Sequence, residues 1–141
     1  AFGWGTWVWG RLQNETGRQP VYMYYFDQDP MYPEGDRRYG HSSPHGQDVD
    51  FVFQSLRPNG SRNPTDQALA EYMLKYWTNF AKYCDPNGKG DDPELPAWPL
   101  FKNENSQVMV LTGAGPHPAQ VASEDAMWVL DEYFAWRRSQ E

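Results

Sequence analysis

Histidine is the residue type of this chain with the clearest catalytic potential, and two of its three histidines lie in HSSPHGQDVDFVF, residues 41–53. Imidazole titrates near a pKa of about 6.5, so it can take and return a proton near neutral pH. His45 lies between Pro44 and Gly46, on a loop that runs into an apolar and acidic segment. The sequence therefore offers His45 as a candidate general base, with an ordinary turn residue as the alternative.

A general base needs a nucleophile, and these residues supply no evident one. The chain has no Gly-x-Ser-x-Gly segment, the strained turn that exposes a nucleophilic serine. Ser42 and Ser43 lie too close in sequence to His45 to present an oxygen beside an oxyanion hole. Cys84 has no adjacent histidine and is predicted to be a structural thiol. His41 and His45 lie on a proline-broken loop instead of one helix face, so we predict neither a metal site nor a cofactor.

Composition excludes several classes of function. The net charge of −7 argues against nucleic-acid binding, because phosphate contacts need a basic surface. No run approaches the roughly 20 apolar residues that a membrane span requires. The aromatic fraction of 16% predicts either a dense core or large apolar surfaces that meet a partner. A length of 141 residues suits one domain.

The sequence leaves the compartment open. A single cysteine excludes an internal disulfide, and the opening AFGWGTW lacks the pattern of a signal peptide. Two Asn-x-Ser/Thr sequons, at Asn14 and Asn59, would permit glycosylation of a secreted protein. We slightly favour a secreted or periplasmic origin over a cytoplasmic one.

Hydrophobic periodicity predicts the elements that must position His45. They are a helix over 3–16, a strand over 21–26, a helix over 65–83, a strand over 108–113 and a helix from about residue 123. The segment VYMYYF at 21–26 is apolar on both faces, which is typical of a buried parallel strand. Such a strand needs neighbours on both edges, and this chain supplies at most one. The prediction is an α/β fold with few strands, flanking helices and an incomplete sheet.

Several segments in the expected order resemble the C-terminal end of the type-B carboxylesterases, the α/β-hydrolase family that includes microbial esterases and cholinesterases. They are FGWGTWVWGRLQ, PVYMYYFD, HGQDVDFVF, YMLKYWTNFAKYCDPNG, AWPLF and VLDEYFAWRR. The most specific are the His-Gly-x-Asp stretch followed by Phe-Val-Phe and the helix that ends in Asp-Pro-Asn. The resemblance implies that residues 1–141 form a single C-terminal segment of an α/β-hydrolase domain.

The resemblance also implies roles for individual residues. His45 matches the family's catalytic histidine, the base of a Ser-Glu/Asp-His triad, whereas His41 does not. The family's serine, triad acid and oxyanion-hole glycines precede that histidine, and the segments that carry them are not in this sequence. Asp48 occupies the acidic position of the motif, either as a residue that supports His45 from behind the site or as a carboxylate favoured by a helix start. Cys84 departs from the family, whose members commonly carry a small residue there.

Two hypotheses about function follow. In the first, the chain is part of a serine hydrolase of small carboxylic esters that carries the triad histidine but lacks nucleophile and acid. Met31, Tyr32 and Tyr39, on the long loop over 27–44, would help to shape the substrate pocket, with ordinary loop packing as the alternative. In the second, the chain is a non-catalytic interaction protein that self-associates through its incomplete sheet. The two hypotheses differ in the polypeptide partner. In the first, the chain binds the missing N-terminal half of the same enzyme, and in the second it binds another copy of itself.

Overall fold

The computed structural model describes residues 2–56 and 63–140, except for the side chain of Phe2. The sequon at Asn59 lies outside the described residues. Within them, the elements follow the order α1 (Phe2–Thr16), β1 (Tyr24–Phe26), α2 (Gln47–Val52), α3 (Asp66–Tyr83), β2 (Gln107–Leu111), β3 (His117–Gln120) and α4 (Glu124–Arg138). The three long helices begin and end within a residue or two of their predicted bounds.

The strands form one sheet in the order β1-β2-β3, and β1 runs parallel to β2 with Tyr24 opposite Met109 and Phe26 opposite Leu111. The predicted parallel pairing is confirmed. The predicted burial of the first strand is wrong, because β1 has one neighbour and lies at the edge of the sheet. Tyr24 and Tyr25 are accordingly 39% and 51% exposed.

The third strand was not predicted from the sequence. No element was predicted between the strand over 108–113 and the last helix, yet β3 includes His117 and Pro118. A proline cannot donate a ladder hydrogen bond, so the residue type argues for an edge position or against a strand altogether. β3 is four residues long and lies at the other edge of the sheet, where this deficit is tolerated.

The chain divides into two compact units. The first comprises Ala1–Met23, Pro99–Val108 and Ala119–Glu141. Its core is Trp7, Phe101 and Val108, against which partly buried residues of α1 and α4 pack. The side-chain nitrogen of Asn14 donates to the backbone oxygen of Phe101 at 3.0 Å. In this fold the nitrogen that a glycan would occupy at the first sequon is therefore engaged.

The second unit comprises Tyr24–Trp98 and Met109–Pro118. α3 packs against α2. Five apolar residues recur at helical spacing along α3 and predict one buried face: Leu69, Met73, Tyr76, Trp77 and Phe80. The first three are at most 1% exposed, whereas Phe80 is 49% exposed, so the predicted face is buried only in part. This unit contains His45 and the whole loop that precedes it. Among the described residues, no helix combines the length and apolar character needed to cross a membrane.

Candidate active site

His45 lies on the connection between β1 and α2, beyond the carboxyl end of β1. Because β1 and β2 are parallel, their carboxyl ends meet at the same edge of the sheet, which is where open α/β sheets place their ligands. His45 is exposed and lines a pocket of about 560 Å³. The other lining residues are Tyr32, Arg38, Pro44, Gly46, Gln47, Asp50, Phe51, Leu56, Asn63, Pro64, Asp66 and Gln67.

The chain turns sharply after His45 because of Gly46. Gly46 has φ 82° and ψ 3°, in the left-handed region that favours glycine, and it is the residue before the first turn of α2. The amide of Gln47 donates to the carbonyl of Pro44 at 3.2 Å, which closes a turn around the histidine. The backbone thus bends directly after His45, where glycine is the residue type that allows a left-handed conformation.

The other two histidines are placed differently. His41 is exposed and does not line this pocket. His117 is also exposed, and its Nδ1 lies 3.0 Å from the carbonyl oxygen of Gly115. Neither belongs to the pocket that His45 lines.

Asp48 makes a contact that the sequence did not predict. Its Oδ2 accepts a hydrogen bond from the hydroxyl of Tyr24 at 2.7 Å. Burial of the phenol, together with the bond to and the negative charge of Asp48, raises the pKa of Tyr24 well above its usual range. The carboxylate at the start of α2 is therefore linked to β1 as well as lying in the first helical turn.

Of the three pocket residues predicted on the loop over 27–44, only one lines the pocket. Tyr32 lines the pocket, and the guanidinium of Arg38 lies over its ring at 3.9 Å. Arg38 also donates to both carboxylate oxygens of Asp36, at 2.9 and 2.8 Å, and holds the pKa of that carboxyl well below its usual range. Met31 and Tyr39 are 54% and 58% exposed and are not lining residues.

A buried polar network lies behind the pocket, and the sequence analysis missed it. Gln28 is 1% exposed, and its Nε2 donates to Asp66 Oδ1 at 2.7 Å and to Thr65 Oγ1 at 3.0 Å. Its Oε1 accepts from the amide of Gly113 at 2.6 Å, and its carbonyl accepts from Ser43 Oγ at 2.5 Å. The signal in the sequence was weak, because Gln28 is one polar residue in a polar loop.

Asp66 is the charged member of this network. It is 7% exposed and lines the same pocket as His45. Its position in the sequence indicates only a carboxylate in the first turn of a helix, a role that Asp66 also fills. Burial of a carboxylate is costly unless it is hydrogen-bonded, and Gln28 supplies such a bond.

The described residues contain no group of three or more histidines, cysteines, aspartates or glutamates that could hold a metal ion. Cys84 is exposed and ends α3 in the left-handed conformation, with φ 56° and ψ 23°. Its backbone conformation gives a physical reason for a small residue at this position.

Parallel strands with flanking helices define an α/β protein, and the pocket beside His45 is its candidate active site. The model of the carboxylesterase family matches residues 7–126. This match spans well over half of the chain. The chain belongs to the carboxylesterase family, as the resemblance implied.

Curated relatives agree with this assignment. Human cocaine esterase is 35% identical over 98 residues, which cover 68% of this chain and 17% of the relative. Mouse carboxylesterase 1F is 29% identical over 142 aligned positions, which cover 99% of this chain and 24% of the relative. The chain thus spans about a sixth to a quarter of the length of these relatives.

Solved structures support the fold. A carboxylesterase of Geobacillus stearothermophilus, in its structure at pH 6.8, is 29% identical with a TM-score of 0.59, over 84% of this chain and 24% of that one. Its structure at pH 6.2 gives 31% identity and a TM-score of 0.54, over 77% and 22%. The predicted fold class, part of an α/β-hydrolase with an incomplete sheet, is confirmed.

Proposed function

We propose that this chain supplies the catalytic histidine, His45, of a serine hydrolase of small carboxylic esters. The observation that carries the proposal is the position of His45, in a pocket beyond the carboxyl ends of two parallel strands in a chain of the carboxylesterase family. A serine outside these 141 residues would attack the ester carbonyl. His45 would take the serine proton, deliver it to the leaving alcohol and then activate water to release the acid.

Tyr32 is the best-supported wall of the substrate pocket. It lines the pocket with His45, and the guanidinium of Arg38 holds its ring in place from one side. The proposed contribution of Met31 and Tyr39 to the substrate pocket has less support, since both are exposed and neither lines that pocket. Asp48 would act behind His45, through the short helix that it links to β1.

Exposed apolar surface supports a polypeptide partner for the chain. α4 has no buried residue and exposes large side chains, as does β1 at its sheet edge. The exposed residues of these two elements are Tyr24, Tyr25, Trp128, Val129, Leu130, Tyr133 and Trp136. Several large apolar side chains exposed on one element, as on α4 and separately on β1, are typical of a protein interface. We infer that the partner is the nucleophile-bearing portion of the enzyme; the comparisons do not favour a non-catalytic, self-associating chain.

The direct test replaces the matching segment of the Geobacillus carboxylesterase by this chain and measures hydrolysis of a short-chain nitrophenyl ester. We expect turnover by the chimera, none by the 141-residue chain alone, and a loss of kcat on the order of 10⁴-fold or more for His45→Ala. His41→Ala is the matched control, because His41 lies on the same loop outside the pocket, and it should change kcat by no more than about twofold. A folded chimera without turnover, or one that tolerates His45→Ala, would contradict the proposal.

Light scattering tests the inference that the exposed apolar residues bind another polypeptide. The chain alone, with its apolar faces uncovered, should form dimers or larger species, whereas the chimera should scatter as its parent enzyme does. A chain that stays monomeric at high concentration would contradict the inferred interface.

A further inference from the structure

We propose that Gln28 and Ser43 are positioning residues for His45, with Gln28 as the buried anchor and Ser43 as the link to the histidine loop. The inference rests on the proposed function of His45. It concerns how a histidine on a long surface loop is held in one place before any substrate binds.

The anchor is fixed because every polar atom of the Gln28 side chain has a partner. The amide of Gly113 can only donate, so the atom that faces it at 2.6 Å is Oε1. Thr65 Oγ1 already donates to Asn63 Oδ1 at 2.6 Å, so it accepts from Gln28 Nε2. The second Nε2 hydrogen goes to the carboxylate of Asp66. A carboxamide is the group that offers both hydrogens and the acceptor from one plane.

The anchor also joins the carboxyl ends of the two parallel strands. Gln28 lies two residues beyond β1, and Gly113 lies two residues beyond β2. The approach is so close that a Cβ at position 113 would overlap the side chain of Thr65 and lie 2.7 Å from Gln28 Oε1. The network therefore sets the spacing of the two strand ends, beyond which the pocket lies.

Ser43 connects the loop that carries His45 to Gln28. Its hydroxyl donates to the backbone oxygen of Gln28 at 2.5 Å, and Ser43 lies two residues before His45. On the other side of the histidine, the turn at Gly46 leads directly into α2. His45 is thus held between a hydrogen bond to the anchor and a helix, although it lies at the end of a long loop. Catalytic groups held within a fraction of an ångström depend on such supporting contacts.

The experiment compares Ser43→Ala with Ser42→Ala and Ser43→Thr in the 141-residue chain. Ser42 is exposed and adjacent, which makes it the matched control, and threonine keeps the hydroxyl. We expect the ¹⁵N order parameter of the His45 amide to fall from about 0.85, the rigid-backbone value, toward about 0.6 in Ser43→Ala only. An unchanged order parameter in Ser43→Ala, or an equal fall in Ser42→Ala, would overturn the proposal.

Kinetics of the active chimera provide the second readout. Ser43→Ala should lower kcat by about 10-fold or more with KM changed less than about twofold, because a misplaced base slows proton transfer without weakening substrate binding. Ser43→Thr should recover most of the rate, and Ser42→Ala should leave it unchanged. Equal kcat in Ser43→Ala and Ser42→Ala would contradict the positioning role.

Gln28→Glu tests the anchor itself. It keeps the size of the side chain but sets a carboxylate against that of Asp66, so the His45 order parameter should fall further than in Ser43→Ala. If Gln28→Glu fails to fold, the Ser43 variants still decide the question. Failure of the proposed function is distinguishable, because an inactive chimera says nothing about the order of His45 in the chain, which the relaxation measurement reports without any substrate.

Discussion

At the scale of single residues, three non-glycine residues of the described segments hold positive φ angles: Gln54, Cys84 and Ser123. In this conformation the Cβ atom lies close to the following carbonyl oxygen, which destabilises the folded state by about 1–2 kcal/mol per residue. Cys84 is the informative case, because it ends α3, where a left-handed residue is commonly glycine. Its cysteine therefore sits in a conformation that its side chain disfavours.

We predict that Cys84→Gly stabilises the protein. Relief of the left-handed strain is worth about 1–2 kcal/mol, from which the greater freedom of glycine in the unfolded chain subtracts about 0.4–1 kcal/mol. The net expectation is a gain of about 0.5–1 kcal/mol in the free energy of unfolding, measured in urea. Ala81→Gly, an exposed position inside the same helix, is the control and should lose about 1 kcal/mol. Equal signs for the two variants would refute the explanation.

At the scale of elements, one cation of α1, Arg11, contacts residues of both α1 and α4. The guanidinium of Arg11 lies 4.5 Å from the ring centroid of Trp7 and 4.3 Å from that of Trp128. It also forms an ion pair with Asp131 at 3.1 Å. A planar guanidinium can stack between two rings and still reach a carboxylate, which a lysine ammonium cannot reproduce.

Arg11→Lys should therefore destabilise the first unit although the charge is kept. We expect a loss of about 1 kcal/mol, in the range of partly buried cation–π contacts, seen as a lower midpoint in urea followed by tryptophan fluorescence. Arg137→Lys, in the last turn of α4, should stay within about 0.5 kcal/mol of the parent. A loss of the same size in both variants would mean that the stacked geometry contributes nothing.

Elements differ in how well the sequence predicted them. α3 was predictable because its apolar residues recur at helical spacing over several turns, and three of them, Leu69, Met73 and Tyr76, are buried. The burial of β1 was not predictable, since it depends on whether a second strand lies beside it. β3 was missed because Pro118 disfavours a strand wherever no edge position is known.

The candidate site also combines features that a local sequence pattern predicts with features that only the fold brings together. His45 was predictable because motif residues lie beside it in the sequence, and the family match supports the resemblance on which its role rests. Gln28 and Gly113 are 85 residues apart and are joined only by the fold, so no local pattern could pair them. The roles of His45, Met31, Tyr32, Tyr39 and Asp48 all stay predictions.

At the scale of the whole molecule, stability should decline in alkali because of a buried phenol. Tyr76 is fully buried and donates to the carbonyl of Pro96 at 2.6 Å. Burial first, and then the negative charges of Tyr72 and Asp92, raise the pKa of Tyr76 well above its usual value near 10. A raised pKa in the folded state gives stability that is present below pH 10 and lost as the pH rises above it.

The free energy of unfolding should thus fall above pH 10, with a slope that approaches about 1.4 kcal/mol per pH unit for this one tyrosine. Tyr76→Phe should be less stable at pH 8, where the hydrogen bond is lost, yet show a shallower decline between pH 10 and 11. Tyr83→Phe, an exposed tyrosine of the same helix, should keep the parent slope. An unchanged slope in Tyr76→Phe would contradict the assignment.

The indole rings give each compact unit its own optical signature. Trp7 and Trp128 lie 4.8 Å apart and nearly perpendicular in the first unit, and Trp77 and Trp98 lie 5.8 Å apart at 62° in the second. Close chromophores at such angles couple their electronic transitions, so each pair should contribute a bisignate band to the ultraviolet circular dichroism. Replacing Trp77 by phenylalanine should remove the band of the second unit and leave that of the first. Melting curves of the parent and of this variant, taken together, would then report the two units separately.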